Sequence, residues 1–297
     1  MNRRPKCSVV VPTYNRMELL ARTLDALARQ DLGTDRFEVL VVDDGSTDAT
    51  RDVVDGFRDR LRLAYFYQPD EGFRVAAARN VGIAHAAADV CVFLDSGVLA
   101  HSGCLRAHLR DHAQPASAAV IGYVYCFNHN NEDAELMHAT LDLDDLDGTI
   151  ARLAREGRWL DDRENFYARY PGDAIADLPA PWLMYWTCNV SAPTADLRAI
   201  GGFDEAFRSW GYEDVDLAYR LHRGGARFVV ERAASAIHYP HEKDHAHNKQ
   251  EAAANLRYIV RKFDTPEIRA LVADPPVGYF DINDHLLRRA AHPSAAG

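Results

Sequence analysis

Over its first hundred residues the chain alternates continuous apolar runs with stretches whose apolar positions recur every three or four residues. Cys7 to Pro12 is a β-branched run ended by proline, and Phe37 to Val42 is a second, closed by the turn-forming Asp43-Asp-Gly-Ser-Thr-Asp48. Arg62 to Gln68 and Val90 to Leu94 supply a third and a fourth strand. Between them, Met17 to Gln30 puts Leu20, Leu24 and Leu27 on one helical face. Ala49 to Arg60, with Thr47 or Asp48 as N-cap, and Val75 to Ala87 read as two further helices. Strict alternation of strand and helix, with strands apolar throughout, predicts a mostly parallel central sheet covered by helices on both faces. Ligands of such sheets sit beyond the carboxyl ends of the strands. Here those ends carry Pro12-Thr-Tyr-Asn-Arg16, Asp43-Asp44 and Asp95-Ser-Gly97.

From Gly122 to about Trp182 the pattern changes. Asn128 to Asp133 and Leu141 to Gly148 are polar and acidic, Ile150 to Arg158 reads as a short helix, and Tyr170-Pro-Gly-Asp173 as a turn. This stretch is too long for a simple connection and predicts an insertion or lid facing a second substrate. A strand at Met184 to Ser191, a helix at Thr194 to Ala199 and a turn at Gly201 to Glu205 follow. Phe228 to Glu231 and Ala236 to Tyr239 read as two more strands. The chain is helix-rich from about Asn248 to Pro275-Pro276, and the tail from His292 reads as disordered.

Ser209-Trp-Gly-Tyr-Glu-Asp-Val-Asp-Leu217 sets three carboxylates beside an aromatic and a glycine at a helix start closed by Gly224-Gly225. Two readings stand: an acidic helix N-terminus favoured by the helix dipole, or an active-site wall with a proton acceptor. The composition narrows the field. With 297 residues and 47% hydrophobic content the chain can bury a substantial core, as one large α/β domain or two small ones. A formal net charge of -10 argues against general affinity for nucleic acid or anionic membrane, so any nucleotide is bound locally. No apolar run reaches the roughly 20 residues needed to cross a bilayer. The basic Met1 to Lys6 leads into a short apolar run without a small-residue cleavage site, so a cytoplasmic protein is expected. The five scattered cysteines read as buried reduced thiols. His238, His241, His245 and His247 lack the spacing of a zinc motif. No Gly-any-Gly-any-any-Gly follows the first strand, which argues against a dinucleotide oxidoreductase.

Taken in order, Val9-Val-Val-Pro-Thr-Tyr-Asn-Arg16, Val41-Val-Asp-Asp-Gly-Ser-Thr-Asp48, Ala78-Arg-Asn-Val-Gly82 and Phe93-Leu-Asp-Ser96 resemble the nucleotide half of family-2 glycosyltransferases with the GT-A fold. Gly201-Gly-Phe-Asp-Glu205, Trp210-Gly-Tyr-Glu-Asp214 and Ala236-Ile-His238 resemble their acceptor half, especially the chondroitin-polymerase and β-1,4-galactosyltransferase type. The resemblance covers roughly residues 6–245. It implies a GT-A-type, Rossmann-like α/β domain with an acceptor-side insertion. Residues 1–121 would form the nucleotide-sugar half, 122–245 the acceptor and catalytic half, and 246–297 a helical extension and tail.

The implied function is inverting transfer of a sugar from a nucleoside-diphosphate-sugar donor to a hydroxyl of a saccharide or small-molecule acceptor. UDP is the first expectation for the carrier and dTDP the next. Asp214 matches the general base, and Glu213 beside it would bind a hydroxyl. Pro12, Thr13, Tyr14 and Arg16 would line the donor cleft. Asp44 would accept from the pyrimidine imide N–H, since a carboxylate only accepts, and Arg79 would face the diphosphate. Asp43 and Asp48 are expected to stabilise their turn. Trp182, Trp186 and Trp210 would stack on sugar rings, with Asn189 hydrogen-bonding. Asp95 would also bind the donor, through its ribose or through a water-bridged metal; a divalent metal, Mn²⁺ or Mg²⁺, is implied on Asp95 and His238, but the second aspartate of the family's Asp-any-Asp pair is here Gly97, which has no ligand to give. The rival readings are a non-catalytic nucleotide-sugar or sugar-binding protein and a nucleotidyltransferase.

Overall fold

The computed structural model describes residues 4–114, 116–127, 133–242 and 244–291. The expectations for Asn128 to Glu132 and for the tail from His292 lie outside the described residues. The first half runs β1 (Cys7–Thr13), α1 (Met17–Ala28), β2 (Phe37–Asp43), α2 (Thr50–Gly56), β3 (Leu63–Tyr67), α3 (Val75–His85) and β4 (Val90–Leu94). Next come β5 (Val98–Ala100), α4 (Cys104–Asp111), β6 (Ala118–Tyr125), α5 (Ala134–Thr140), α6 (Leu146–Glu156) and α7 (Glu164–Tyr167). The remainder is β7 (Asn189–Pro193), α8 (Thr194–Ala199), α9 (Glu213–Arg223), β8 (Arg227–His238), α10 (His245–Phe263), α11 (Pro266–Arg269) and α12 (Ile282–Ala291).

All the strands join one sheet in the order β3-β2-β1-β4-β7-β6-β8-β5. β1, β2, β3 and β4 are parallel, as the alternation predicts. β7 runs antiparallel to β4 and β6, and β8 parallel to β6 and antiparallel to β5. β1 and β2 are buried at every position, and successive residues serve opposite faces: Val10 and Leu40 pack into one core cluster, Val9, Val11, Val39 and Val41 into the other. Strand order reverses around β1, whose neighbours are β2 and β4, and that reversal opens a crevice at the carboxyl ends. Among the described residues no helix is long and apolar enough to cross a membrane.

Several elements depart from the expectations. α2 ends at Gly56 rather than Arg60, because the residues after it close into tight turns through Phe57 N to Val54 O and Arg60 N to Phe57 O. α6 starts at Leu146, earlier than expected, where the Asp145 carboxylate accepts from Gly148 N at 3.0 Å. The expected strand from Met184 begins only at Asn189, since Pro181–Met184 is a 3₁₀ turn. Phe228 to Glu231 and Ala236 to Tyr239 are parts of one strand, β8, whose register against β6 shifts at Gly122/Tyr123. β5, α4 and most of β6 were not anticipated. The expected junction at residues 121/122 falls inside β6.

A chain of buried and half-buried polar groups links α4 and its C-cap to β7. Asn189 Oδ1 meets His108 Nε2 at 3.0 Å, His108 Nδ1 meets Ser191 Oγ at 3.0 Å, and Ser191 Oγ meets His112 Nε2 at 2.8 Å. Burial pushes both imidazoles down from 6.5 to about 4. Between those values the unfolded chain binds more protons than the folded one, so stability is complete above about pH 6.5 and is lost as pH falls toward 4. The prediction is that fully buried His108 contributes up to about 1.4 kcal/mol per pH unit to the unfolding free energy in that window. In His108→Gln, urea unfolding across that pH range should show this slope reduced by about one proton.

Candidate active site

At the carboxyl ends of β1, β2 and β4 lies a cavity of about 790 Å³. Its first wall is the end of β1. Ser96 Oγ donates to Pro12 O at 2.9 Å, tying the β1 and β4 ends together. Asn15 turns the chain at φ 48°, its amide donating to Ser46 Oγ and its side-chain oxygen accepting from Thr47 N, both at 2.8 Å. Tyr14 stands exposed over the cavity and donates to Asp70 at 2.9 Å. Pro12, Thr13, Tyr14 and Arg16 all line the cavity, and Arg16 lies 3.0 Å from His241 Nε2. Asp44 also lines it. Its carboxylate accepts from Arg74 N at 2.9 Å and from Gln68 Nε2, and burial raises its pKa against those bonds. Asp43 accepts from Ser46 N and Tyr65 OH, and Asp48 from Met17 N and Thr50 N, so both hold the turn.

The centre of the cavity is an ion-pair hub. Arg79, on α3, is 3% exposed and donates to Asp95 Oδ1 at 2.9 Å and to Glu213 Oε1 at 3.0 Å. Burial works against its charge, but the two carboxylates outweigh burial and raise its pKa above the ordinary value. Glu213 Oε2 is buried, with no hydrogen-bond partner among the described residues. Such an acceptor is costly unless a ligand supplies a donor. Asp214, half-buried on the cavity wall, takes one bond from Val215 N at 2.8 Å. Burial, and then the Glu213 charge, push its pKa up to about 7, with Arg79 pulling the other way.

Aromatic rings close the other side. Trp186 packs against Phe127 at 5.6 Å, Phe280 at 6.3 Å and Tyr279 at 6.5 Å, and all four rings line the cavity. The buried Arg163–Asp161 pair backs this wall, with the guanidinium 5.0 Å from the Trp186 ring. Trp210 is 41% exposed at the rim.

Three expected site residues do not reach the cavity. Trp182 is fully buried, edge-on to Tyr219 at 5.1 Å, because the 3₁₀ turn at Pro181–Met184 aims it into the core. Asn189 is fully buried in the polar chain described above and also donates to Ala234 O at 2.8 Å. His238 is buried on β8 opposite Val98, its ring against Phe127 at 4.9 Å and His241 at 5.1 Å. Sequence reasoning missed Asp70, Phe73, Ala252, Tyr279 and Phe280, which also line the cavity. Asp70 and Phe73 lie just past the carboxyl end of β3, the kind of position that holds ligands, and the paired aromatics after Gly278 carried a local signal; Ala252 on α10 carried none.

The residues present do not fit a divalent metal caged by the protein. Asp95 is engaged by Arg79, and Gly97 sits at φ +98°, where an aspartate would be strained as well as absent. Among the described residues no cluster of three or more His, Cys, Asp or Glu could hold a metal ion.

The model of "Glycosyl transferase family 2" matches residues 8–175, and that of "N-terminal domain of galactosyltransferase" matches 175–246. The validoxylamine A glucosyltransferase of Streptomyces hygroscopicus subsp. jinggangensis is 44% identical over 264 residues, covering 87% of this chain. The chain spans 61% of the length of that relative. The mannosyltransferase PcManGT of Pyrobaculum calidifontis, solved with GDP-Man and Mn²⁺, superposes with TM-score 0.61 at 21% identity, over 99% of this chain and 76% of that one. S. aureus TarS 1–349 with UDP-GlcNAc gives TM-score 0.61 at 19% identity, over 97% of this chain and 73% of that one. The fold is accordingly the GT-A type that the motifs imply.

Removing the Arg79 guanidinium would leave Glu213 and Asp95 without their counter-charge. Arg79→Met is predicted to cost about 3–5 kcal/mol, and Arg79→Lys less, because a single ammonium keeps the charge but loses the two-armed geometry. Urea unfolding of the two variants beside the parent measures both.

Proposed function

The chain belongs to glycosyl transferase family 2, and from that membership we propose that it moves a sugar, with inversion, from a nucleoside-diphosphate-sugar donor to an acceptor hydroxyl. One observation carries the reading: Arg79 gathers Asp95 and Glu213 onto itself beside Asp214, in the cavity that also holds the β1 end and the aromatic wall. In this reading Asp214 takes the proton of the attacking hydroxyl. A carboxylate raised to about 7 is a stronger base than an ordinary one and still substantially ionised at neutral pH. Glu213 Oε2, buried and unpartnered among the described residues, accepts from a substrate hydroxyl. Arg16 and Arg79 face the leaving diphosphate, where cations offset the charge developing on the leaving oxygen. Asp44 accepts from the base, UDP being the first carrier to test and dTDP the next. No step is routed through a metal.

Trp186, Trp210, Tyr279 and Phe280 offer ring faces to the acceptor. Among the described residues that line the cavity, Arg16 and Arg79 are the only lysine or arginine side chains. Both are assigned to the donor side, so the acceptor meets carboxylates and aromatic rings. That favours an uncharged or cationic saccharide or small molecule. Validoxylamine A, with UDP-glucose as donor, is the first pair to offer, because the relative at 44% identity is named for that acceptor. All five cysteines are unpaired and buried, which agrees with a reducing compartment such as the cytoplasm.

Asp214→Asn is expected to lower kcat by about 10²–10⁴-fold while keeping donor-induced thermal stabilisation. In the parent, kcat/KM should rise with pH through an apparent value near 7, because Asp214 works as a base only when ionised. Full transfer by the asparagine variant would remove Asp214 from the mechanism. Initial rates with matched acceptors should fall at least about tenfold when a carboxylate is placed beside the attacked hydroxyl.

A further inference from the structure

The start of α9 has no side-chain cap, although it carries Glu213 and Asp214. It is preceded by two consecutive residues in the left-handed region, Gly211 at φ +94° and Tyr212 at φ +69°. A tyrosine holds that conformation only where its surroundings impose it. The surroundings here are one turn of α10. Asn255, 8% exposed, points the two N–H groups of Nδ2 at three carbonyls, those of Ser209 at 3.1 Å, Trp210 at 3.2 Å and Gly211 at 2.8 Å, one N–H being shared. Its Oδ1 accepts from Ser209 Oγ at 3.2 Å. Three carbonyls on one side and a hydroxyl on the other settle which amide atom points where. Glu251 accepts from Trp210 N at 2.9 Å. Ala252 lies under Gly211, where a built Cβ would stand 3.4 Å from the alanine methyl.

We propose that Asn255 is a positioning residue for the acceptor side of the site. By gripping successive carbonyls it holds the 209–212 turn, which sets the Trp210 ring over the cavity and the Asp214 carboxylate at the helix start. It touches neither substrate, and it acts through that turn. The inference rests on the reading of Asp214 as the base. It accounts for a side chain with several hydrogen bonds in α10, outside every sequence motif singled out above.

The test compares the parent with Asn255→Asp, which keeps the shape and loses the N–H donors, and with Glu251→Ala, which frees the Trp210 amide. Asn255→Asp should lower kcat at least about tenfold and raise the acceptor KM, because small displacements of a reacting group are expensive in rate. The acid limb of its pH–rate profile should move, since the Asp214 pKa depends on where Glu213 and Arg79 lie. Titration with the nucleoside diphosphate alone should give a Kd within about twofold of the parent. A folded variant with parental kcat and acceptor KM would overturn the proposal. So would an equal loss of diphosphate affinity, which marks general damage. If Asn255→Asp does not fold, Glu251→Ala is judged by the same criteria. Asp214→Asn is assayed beside them. Should it transfer normally, the base reading fails by itself; should it be inactive while Asn255→Asp is unimpaired, only the present inference falls.

Discussion

Arg79 carries a full charge in a place almost closed to water, and the charge is sustainable there because Asp95 and Glu213 converge on it from opposite halves of the chain. Asp95 follows directly on β4, in the parallel half, and Glu213 begins α9, after the antiparallel strand β7. The guanidinium fork is what matches two carboxylates at once. The same contact holds the two walls of the cavity together and fixes the field felt by Asp214. Weakening it would loosen the architecture and retune the candidate base together.

The cavity is asymmetric in its chemistry. One side is built from strand ends and turns whose carboxylates are already engaged: Asp43 and Asp48 with backbone amides, Asp44 with Arg74 N and Gln68. The other side is aromatic and is backed by the buried Arg163, which also donates to Met184 O at 2.8 Å and Gly122 O at 3.0 Å. These bonds tie the insertion to β6 and to the turn that presents Trp186. Rigid strand ends suit a ligand recognised by fixed hydrogen bonds, and ring faces suit one recognised by shape.

α10 extends the second wall beyond the motifs. Besides Asn255 and Glu251, its Lys262 donates to Asp204 at 2.6 Å and to the fully buried Asp216 at 2.5 Å, and Tyr258 donates to Asp204 at 2.8 Å. The loop before α9 and the helix itself are both tied to α10. Such second-layer contacts set how closely a site holds its geometry.

The alternation of apolar runs with helical periodicity determined the β1–β4 half, because strands buried on both faces and helices on their covering layers must show those patterns whatever their partners. Pro12 to Arg16, Asp44, Asp95 and the Glu213-Asp214 pair were legible for a related reason: they sit at strand ends and at a helix start, where the backbone itself aims side chains at the cavity. Trp182, Trp186 and Asn189 lie within eight residues of one another and read alike. Only the 3₁₀ turn and the β7 register sent the first and last into the core and left Trp186 on the wall. The pairing of Arg79 with Glu213, 134 residues away, the arrival of Tyr279 and Phe280, and the grip of Asn255 were decided by the tertiary structure alone. Such contacts depend on where distant elements meet, and a single sequence carries no periodicity or spacing that records it.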